Sequence, residues 1–516
     1  MTNAARRPLM SVLEKGERDR ATRLRFVDGQ RSSELLVADL VARARRIAAG
    51  LAALGVKPGD RVSSQLTNGE QSIELQFAAL MVEAVLVPVV PVFGPKELGQ
   101  ILADAQPVIH VTHDRWGRTD YLANLKAVDG ELVPSQVIVV GDAPGQYLSW
   151  SQLAQTPPLD ELPADSGDTE VPCLIIYTSG STGVPKGVQH TQATAFAEVV
   201  DLDYRASRGP GDVYLQVSAA GHIGGYMYPL RAIWYEMETI VMDSWDAQLA
   251  CRMATAFRVS GMVATPFHAV SMLEVREREP GVDLTSIKLM MIGGAPVTDE
   301  LLDSLDAAGV IGVRAYGMSE HPTIAIGSHH DSLADRRDRG IWVTPANEVR
   351  IVDDDGKPVP DGTPGEIQSR GPERLTGYTN APSPFTSDGW FPTGDIGVFD
   401  DEGRLSVVDR KKNIIIRGGE NLSATEIENT VRLHPAVADA AVIGVPDKRY
   451  GERVCAWVVL RPDQHLDLAE LMRFFLDQGL TKQKVPEFLE FAAELPRTGT
   501  GKIRKSELSA LFAART

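Results

Sequence analysis

Hydrophobic positions along the 516-residue chain follow two alternating patterns. Between residues 34 and 54 apolar side chains recur at steps of three and four, and Gly55 stands where a helix would end, which predicts an amphipathic helix. Short β-branched runs follow at intervals, with helical stretches between them: VLVPVV (85–90), VIHVT (108–112), CLIIYT (173–178), TIVM (239–242), GMVAT (261–265) and KLMMIGG (288–294). This alternation predicts βαβ units and largely parallel sheets covered by helices on both faces.

The pattern changes at about residue 341. From there to residue 408 short strands are predicted between turns such as DDDGKP and DDEGR, which indicates a β-rich subdomain. SATE (423–426) is a capping box that predicts the start of a helix. We therefore expect a mixed α/β protein. Its large N-terminal domain spans residues 1–408 and includes the β-rich subdomain, and residues 409–412 link it to a small α+β domain over residues 413–516.

Composition narrows the possible functions. The chain has 69 Asp+Glu against 52 Lys+Arg and a net charge of −17, which disfavours binding to nucleic acid or to anionic membranes. No apolar run predicts a signal peptide or a membrane span. Cys173, Cys251 and Cys455 are too widely spaced for a metal or redox motif, so we expect free thiols and a cytoplasmic protein.

The most informative segment is YTSGSTGVPKG, residues 177–187, which follows a buried apolar run. Its glycines let backbone N–H groups approach phosphate oxygens, its hydroxyl groups add donors, and its lysine adds a point charge. The spacing is not that of a Walker A loop, and no GxGxxG suggests a dinucleotide fold. A polyphosphate-binding loop is therefore predicted, formed by Thr178, Ser179, Gly180, Ser181, Thr182, Gly183 and Lys186.

Four further segments accompany this loop: GGAP (293–296), YGMSE (316–320), GWFPTGDIG with GRLSVVDRKK (389–397 and 403–412), and PRTGTGKIRK (496–505). In type and order the five segments resemble the motifs of the adenylate-forming superfamily, which includes acyl-CoA synthetases, adenylation domains and luciferases. RGGENLSATEIE (417–428) is most similar to medium- and short-chain acyl-CoA synthetases and related carboxylate–CoA ligases. The resemblance implies an enzyme that uses ATP to form an acyl-adenylate, releases pyrophosphate, and transfers the acyl group to CoA.

Several of these residues also have a chemical interpretation of their own. The Tyr316 ring can stack on a purine, with space left by Gly317 and by the turn at residues 293–295. Glu320 is suited to hold Mg²⁺, with Thr178 as a second oxygen ligand, because this ion shares oxygen ligands with substrate phosphates. Asp395 can accept both ribose hydroxyl groups, and Arg410 offers a fixed fork to ribose or phosphate.

The resemblance implies the remaining roles. Lys412 is the hinge about which a mobile small domain pivots, and Lys502 bridges the attacking carboxylate and the α-phosphate. Ser319 stands where the family more often has threonine, and its hydroxyl group can still donate to the α-phosphate. Arg417 replaces a lysine of some relatives, so no lysine role carries over to it. The other implied contacts are Gly294, Ala295, Pro296 and Met318 for the nucleotide, Arg417, Gly418 and Gly419 for the CoA tunnel, and His222, Thr265 and Met318 for the acyl pocket.

The acyl group and the acceptor stay open. An enzyme that activates amino acids should have an acidic residue near positions 218–222, and SAAGH has none, so we expect a fatty, alicyclic or aromatic acid without an amine. A carrier-protein-loading enzyme, a catalytically silent nucleotide-binding protein and a light-emitting oxidase are the alternatives. His222 beside glycines also fits a purely structural position. Beyond MgATP, CoA and the acid, the expected partners are a second copy of the chain and a lysine acetyltransferase acting on Lys502.

Overall fold

The computed structural model describes most of the chain, in two compact units. The described residues are 8–29, 32–158, 166–178, 185–201, 209–338, 340–417, 420–447, 451–478, 484–497 and 503–515. The first unit comprises residues 1–349 and 369–391, and the second comprises residues 350–368 and 392–516. Among the described residues, no helix is both long and apolar enough to cross a membrane.

The helices described in the two units are α1 (Pro8–Arg18), α2 (Val37–Ala53), α3 (Glu70–Met81), α4 (Pro95–Ala105), α5 (Tyr121–Lys126), α6 (Trp150–Ala154), α7 (Gln192–Asp201), α8 (Ile223–Tyr235), α9 (Ala247–Phe257), α10 (Pro266–Arg278), α11 (Asp299–Ala307), α12 (Leu333–Asp338), α13 (Ala424–Arg432), α14 (Leu468–Asp477) and α15 (Lys505–Ala513). A short 3₁₀ helix spans Lys411–Asn413.

The strands are β1 (Arg23–Val27), β2 (Ser32–Leu36), β3 (Arg61–Gln65), β4 (Val85–Pro88), β5 (Ile109–His113), β6 (Arg115–Trp116), β7 (Thr119–Asp120), β8 (Gln136–Val140), β9 (Leu148–Ser149), β10 (Pro172–Thr178), β11 (Lys186–Thr191), β12 (Val213–Gln216), β13 (Glu238–Met242), β14 (Gly261–Ala264), β15 (Leu289–Ile292), β16 (Gly312–Met318), β17 (His321–Ile326), β18 (Trp342–Val343), β19 (Glu348–Val352), β20 (Gly365–Arg370), β21 (Gly377–Tyr378), β22 (Phe391–Phe399), β23 (Leu405–Arg410), β24 (Ile414–Arg417), β25 (Glu420–Ser423), β26 (Val437–Asp447), β27 (Gly451–Leu460) and β28 (Phe488–Phe491).

Two large sheets form the first unit. One has the order β18-β17-β16-β15-β14-β12-β13-β1-β2, and the other has the order β21-β11-β10-β4-β3-β5-β8-β9. In each sheet the central strands run parallel, and antiparallel partners occur at the ends, as in the β1–β2 and β10–β11 pairs. All six β-branched runs form strands of these sheets, so the expected parallel-rich α/β fold is confirmed.

Helices fill the core of this unit. In α3 every side chain from Ile73 to Met81 is buried, as expected for a helix surrounded by other elements. The helix predicted over residues 34–54 is confirmed as α2, with Leu40, Ile47 and Leu51 fully buried. It begins only at Val37, because residues 32–36 pair with β1 as strand β2.

The second unit contains two smaller sheets. Strands β19, β20, β22 and β23 form one of them, and the other has the order β25-β24-β27-β26, with β28 paired to β27. Val454 and Ala456 of β27 face one apolar core, and Cys455 and Trp457 face another, which follows the two-residue period of a strand. The predicted start of helix α13 is confirmed, because Ser423 is its N-cap and its side chain accepts a hydrogen bond from the backbone N–H of Glu426.

The division into compact units differs from the predicted domain boundaries. The stretch from residue 341 to residue 408 does consist mainly of short strands. Its contacts, however, group residues 350–368 and 392–408 with the C-terminal part of the chain. The predicted hinge at residues 409–412 concerns movement rather than packing, and it stays a prediction.

Candidate functional site

The predicted phosphate loop connects two paired strands of the first unit. β10 lies inside its sheet, with Leu174 beside Leu86 of β4, and β11 returns antiparallel to it. Thr178 and Lys186 are direct partners across this pair, so the two ends of the loop are neighbours. Thr178 is half-buried and Lys186 is exposed. The loop residues Ser179, Gly180, Ser181, Thr182 and Gly183 lie outside the described residues.

A tight hairpin carries the Tyr316–Glu320 motif. β16 and β17 pair antiparallel, with Met318 opposite His321 and an irregularity between Tyr316 and Met318. A Cβ atom added at Gly317 would lie 1.9 Å from the Pro322 carbonyl oxygen. The structure thus gives a reason of its own for a glycine here, because the backbone of the facing strand lies where a side chain would be; the predicted space for a purine stays a prediction.

The turn that follows β15 lies beside this hairpin. Gly293 donates its backbone N–H to the Ala264 carbonyl at 3.0 Å, and a Cβ atom at Gly293 would lie 2.8 Å from the carbonyl oxygen of Ala315, the residue before Tyr316. Gly294 has a φ of +75°, in the left-handed region that favours glycine. Ala295 and Pro296 are exposed. The fold thus brings the GGAP turn to the base of the Tyr316 hairpin.

Sequence reasoning missed Tyr378, which contacts both Glu320 and Lys186, the last residue of the predicted phosphate loop. The Tyr378 hydroxyl group donates to Glu320 Oε1 at 2.9 Å, and Lys186 Nζ lies 5.4 Å from the centroid of the Tyr378 ring. Leu375 donates its backbone N–H to the Glu320 carbonyl at 2.7 Å. The only signal in the sequence was an aromatic residue after a glycine, between turn residues.

Two buried histidines fix the backbone on either side of Glu320. The His190 Nε2–H donates to the carbonyl oxygen of Ser319 at 2.8 Å. His321 Nδ1 lies 2.9 Å from Ser369 Oγ. Burial lowers the pKa of both imidazoles to about 4, so both rings are neutral at neutral pH. The hairpin is therefore attached to His190 of β11 through Ser319 and to Ser369 through His321.

The residues implied for the acyl pocket occupy separate places in the first unit. His222 is half-buried at the N-cap of α8, directly after Gly221, where an added Cβ atom would lie 2.6 Å from the backbone of Val90. Thr265 caps α10, and its Cγ2 would lie 3.9 Å from a Cβ atom at Gly294, so it borders the GGAP turn. Met318 packs against a cluster of Val188, Leu375 and Phe391.

In the second unit Asp395 and Arg410 form an ion pair. They are direct partners across β22 and β23, with Arg410 Nε 3.1 Å from Asp395 Oδ1. The Asp395 side chain is 5% exposed and that of Arg410 is 49% exposed. The buried carboxylate is thus held by a guanidinium group that keeps half of its surface open to solvent.

The segment from Asp409 to Arg417 contains the predicted hinge. Asp409 accepts hydrogen bonds from the hydroxyl groups of Ser423 and Thr425, and so ties the end of β23 to the start of α13. Lys412 belongs to the 3₁₀ helix that follows. Arg417 ends β24 and forms an ion pair with Glu487 at 2.7 Å. Gly418, Gly419 and Lys502 lie outside the described residues.

Glu320 is the carboxylate that the sequence predicts to hold Mg²⁺. Among the described residues, no group of three or more His, Cys, Asp or Glu side chains could hold a metal ion. A single carboxylate next to a phosphate loop fits Mg²⁺, because this ion takes most of its ligands from phosphates and water.

The parallel-rich α/β unit, the Tyr316 hairpin and the adjacent Glu320 agree with the adenylate-forming enzymes that the sequence motifs resemble. The chain belongs to the family of AMP-binding enzymes: residues 15–379 match the model of that family, and residues 426–502 match that of the AMP-binding enzyme C-terminal domain. Members of this family form acyl-adenylates from ATP and a carboxylic acid.

Three known proteins illustrate the range of its relatives. The medium-chain fatty-acid–CoA ligase of Escherichia coli is 30% identical over 464 residues, which cover 88% of this chain and 81% of the relative. The salicyl-AMP ligase/salicyl-S-ArCP synthetase of Mycobacterium tuberculosis is 32% identical over 517 residues, 97% and 90% of the two chains. The ATP-bound structure of MatB from Rhodopseudomonas palustris superimposes with a TM-score of 0.87 at 25% identity, covering 98% and 99% of the two chains.

Proposed function

We propose that this protein is an AMP-forming acyl-CoA synthetase. It activates a carboxylic acid with MgATP to give an acyl-adenylate and pyrophosphate, and it then transfers the acyl group to the CoA thiol with release of AMP. The observation that carries the proposal is that Tyr378 contacts both Glu320, through its hydroxyl group, and Lys186, through its ring, at one end of the predicted phosphate loop. A cation and a carboxylate so placed suit a triphosphate and its magnesium ion.

In the first step the protein contributes mainly position and charge neutralisation. Lys186 and the loop hydroxyl groups, including Thr178, would hold the phosphates, and Glu320 would hold the Mg²⁺ that offsets their charge. Tyr316 would stack on the adenine. Asp395 would accept hydrogen bonds from the ribose, and Arg410 would contact ribose or phosphate.

Lys502 and the hinge would separate this step from the second. We assign Lys502 to the transition state of adenylation, where an ammonium group bridges the carboxylate and the α-phosphate. Rotation about Lys412 would then replace Lys502 by the CoA tunnel of Arg417, Gly418 and Gly419. These assignments rest on the sequence motifs, and the Arg417–Glu487 ion pair adds that Arg417 is already neutralised within its own unit.

The acyl substrate in this proposal is a fatty, alicyclic or aromatic acid that carries no amine, bound near His222, Thr265 and Met318. A carrier protein is the second candidate for the acceptor. It is favoured by the relative from Mycobacterium tuberculosis, whose name includes an aryl carrier protein product.

The deciding experiment supplies MgATP and a panel of carboxylic acids with either CoA or a phosphopantetheinylated carrier protein. We expect AMP and pyrophosphate, with thioester formed on CoA. ADP and phosphate as products would overturn the proposal, and acylation of the carrier protein alone would establish the second candidate. The Glu320→Gln variant is the control, because it keeps the shape of the side chain but loses its charge.

The setting of the enzyme is part of the same proposal. The three cysteines are buried and form no disulfide bond, which supports a reducing cytoplasm. A homodimer and acetylation of Lys502 are further expectations, and acetylation would silence adenylation by removing the positive charge.

A further inference from the structure

Tyr378 contacts two opposite charges of the proposed phosphate site. It sits on β21, where it pairs with Val188, two residues after Lys186. Its hydroxyl group donates to Glu320 Oε1 at 2.9 Å, and its ring centroid is 5.4 Å from Lys186 Nζ. We infer that Tyr378 is a positioning residue that keeps Lys186 and Glu320 apart, so that both stay available to a magnesium-bound triphosphate. This inference rests on the proposed function and adds a residue to it.

The reason is electrostatic. An ammonium and a carboxylate at the same site attract each other and would pair directly, which would remove both from the substrate. Within the described part of the chain neither Lys186 nor Glu320 has an ion-pair partner. The Tyr378 hydroxyl group satisfies one carboxylate oxygen, and its ring face lies within the range of a cation–π contact with Lys186.

Tyr378 is suited to this role because its hydroxyl group can donate a hydrogen bond to a carboxylate while its ring face attracts a cation.

The backbone around Tyr378 is held without the help of its hydroxyl group. Thr379 donates its N–H to the Gly187 carbonyl at 2.8 Å, and the Asn380 side chain donates to Asp104 Oδ1 at 2.9 Å. The Tyr378→Phe variant should therefore keep the strand and the ring in place and lose only the bond to Glu320. This makes the hydroxyl group testable by itself.

The experiment measures nucleotide binding by calorimetry. Tyr378→Phe should weaken binding of the Mg²⁺ complex of α,β-methylene-ATP about tenfold, the usual effect of losing one hydrogen bond to a charged group. Binding of AMP, which lacks the β- and γ-phosphates, should change by less than about twofold. Tyr378→Leu should weaken the triphosphate complex further, because Lys186 and Glu320 can then pair directly.

A double-mutant cycle tests whether the effect passes through Glu320. In a Glu320→Gln background, Tyr378→Phe should add less than about twofold to the loss of triphosphate binding. Tyr235→Phe is the matched control, since it removes another tyrosine hydroxyl bond, to the Val200 carbonyl at 2.9 Å, at the far end of α8. That control should leave both nucleotides bound as in the wild type.

The inference would be overturned if Tyr378→Phe left triphosphate binding unchanged, or if it weakened the binding of the triphosphate and of AMP equally. Full additivity with Glu320→Gln would overturn it as well. A failure of the proposed function would look different, because a wild type that binds the triphosphate but releases no AMP with any acid and acceptor would leave the result for Tyr378 standing.

Discussion

Gly317 is the position at which a single methyl group should disable the candidate site. A Cβ atom there would lie 1.9 Å from the Pro322 carbonyl oxygen, 2.5 Å from its carbon and 3.0 Å from the His321 carbonyl oxygen. The obstacle is backbone, which no side-chain rotation can relieve. Gly317→Ala must therefore spread the two strands of the hairpin that carries Glu320 between them.

The size of the effect follows from these distances. Ordinary contact begins at 3.4 Å, so the carbonyl group of Pro322 has to withdraw by about 1.5 Å. Forcing a methyl group into a packed position costs about 1–3 kcal/mol of folding free energy. A displacement of about 1 Å in a positioned group can lower the rate about 100-fold. We expect the loss of activity to exceed what the loss of stability explains.

The assay pairs AMP release with urea unfolding of the same preparations. Gly377→Ala is the matched control, because it places a methyl group on β21, beside Tyr378, where no atom lies within 4 Å. Gly377→Ala should keep near wild-type kcat/KM, whereas Gly317→Ala should lose about two orders of magnitude at 25 °C. A Gly317→Ala enzyme within threefold of the wild type would refute the idea that this hairpin positions Glu320.

The features that depend on residues close together in the sequence were predicted correctly. The helix over residues 37–53 follows from its own apolar spacing, and Ser423 caps α13 through a neighbour three residues away. The six central strands are apolar runs that only a buried sheet can accommodate, which explains why the parallel-rich fold could be predicted from the sequence.

The second layer of the site depends on pairings between distant segments. Tyr378 reaches Glu320 only because β21 pairs with β11, about 190 positions earlier, and no short motif encodes that pairing. The hydrogen bond from His190 to Ser319 could not be predicted from the sequence either, because its acceptor is a backbone carbonyl group, which every residue has. Gly317 was singled out as space for a purine, whereas its close approach to the Pro322 carbonyl group depends on the pairing of β16 with β17.

The remaining predictions concern the hinge, Lys502 and the response to acid. The Lys412→Pro variant should keep pyrophosphate exchange and lose thioester formation, because proline stiffens the proposed hinge. Normal thioester synthesis by this variant would show that the hinge lies elsewhere. The Lys502→Ala variant should form the acyl-adenylate at least about 100-fold more slowly than the wild type. It should still convert supplied acyl-adenylate and CoA to the thioester at near the wild-type rate. An equal loss in both steps would contradict the proposal that the small domain takes up two arrangements. His110 is fully buried beside Ser63, and burial lowers its pKa to about 4 from 6.5. The folded protein thus binds fewer protons than the unfolded chain, so the stability due to neutral His110 is complete above pH 6.5 and is lost as the pH falls toward 4. At pH 5.5 the loss should be about 1.4 kcal/mol relative to pH 7.5. The His110→Asn variant keeps a polar atom near Ser63 but does not titrate. In urea unfolding, its drop in the free energy of unfolding from pH 7.5 to pH 5.5 should be smaller than that of the wild type by this amount. An equal drop in both proteins would mean that His110 takes no part in acid unfolding.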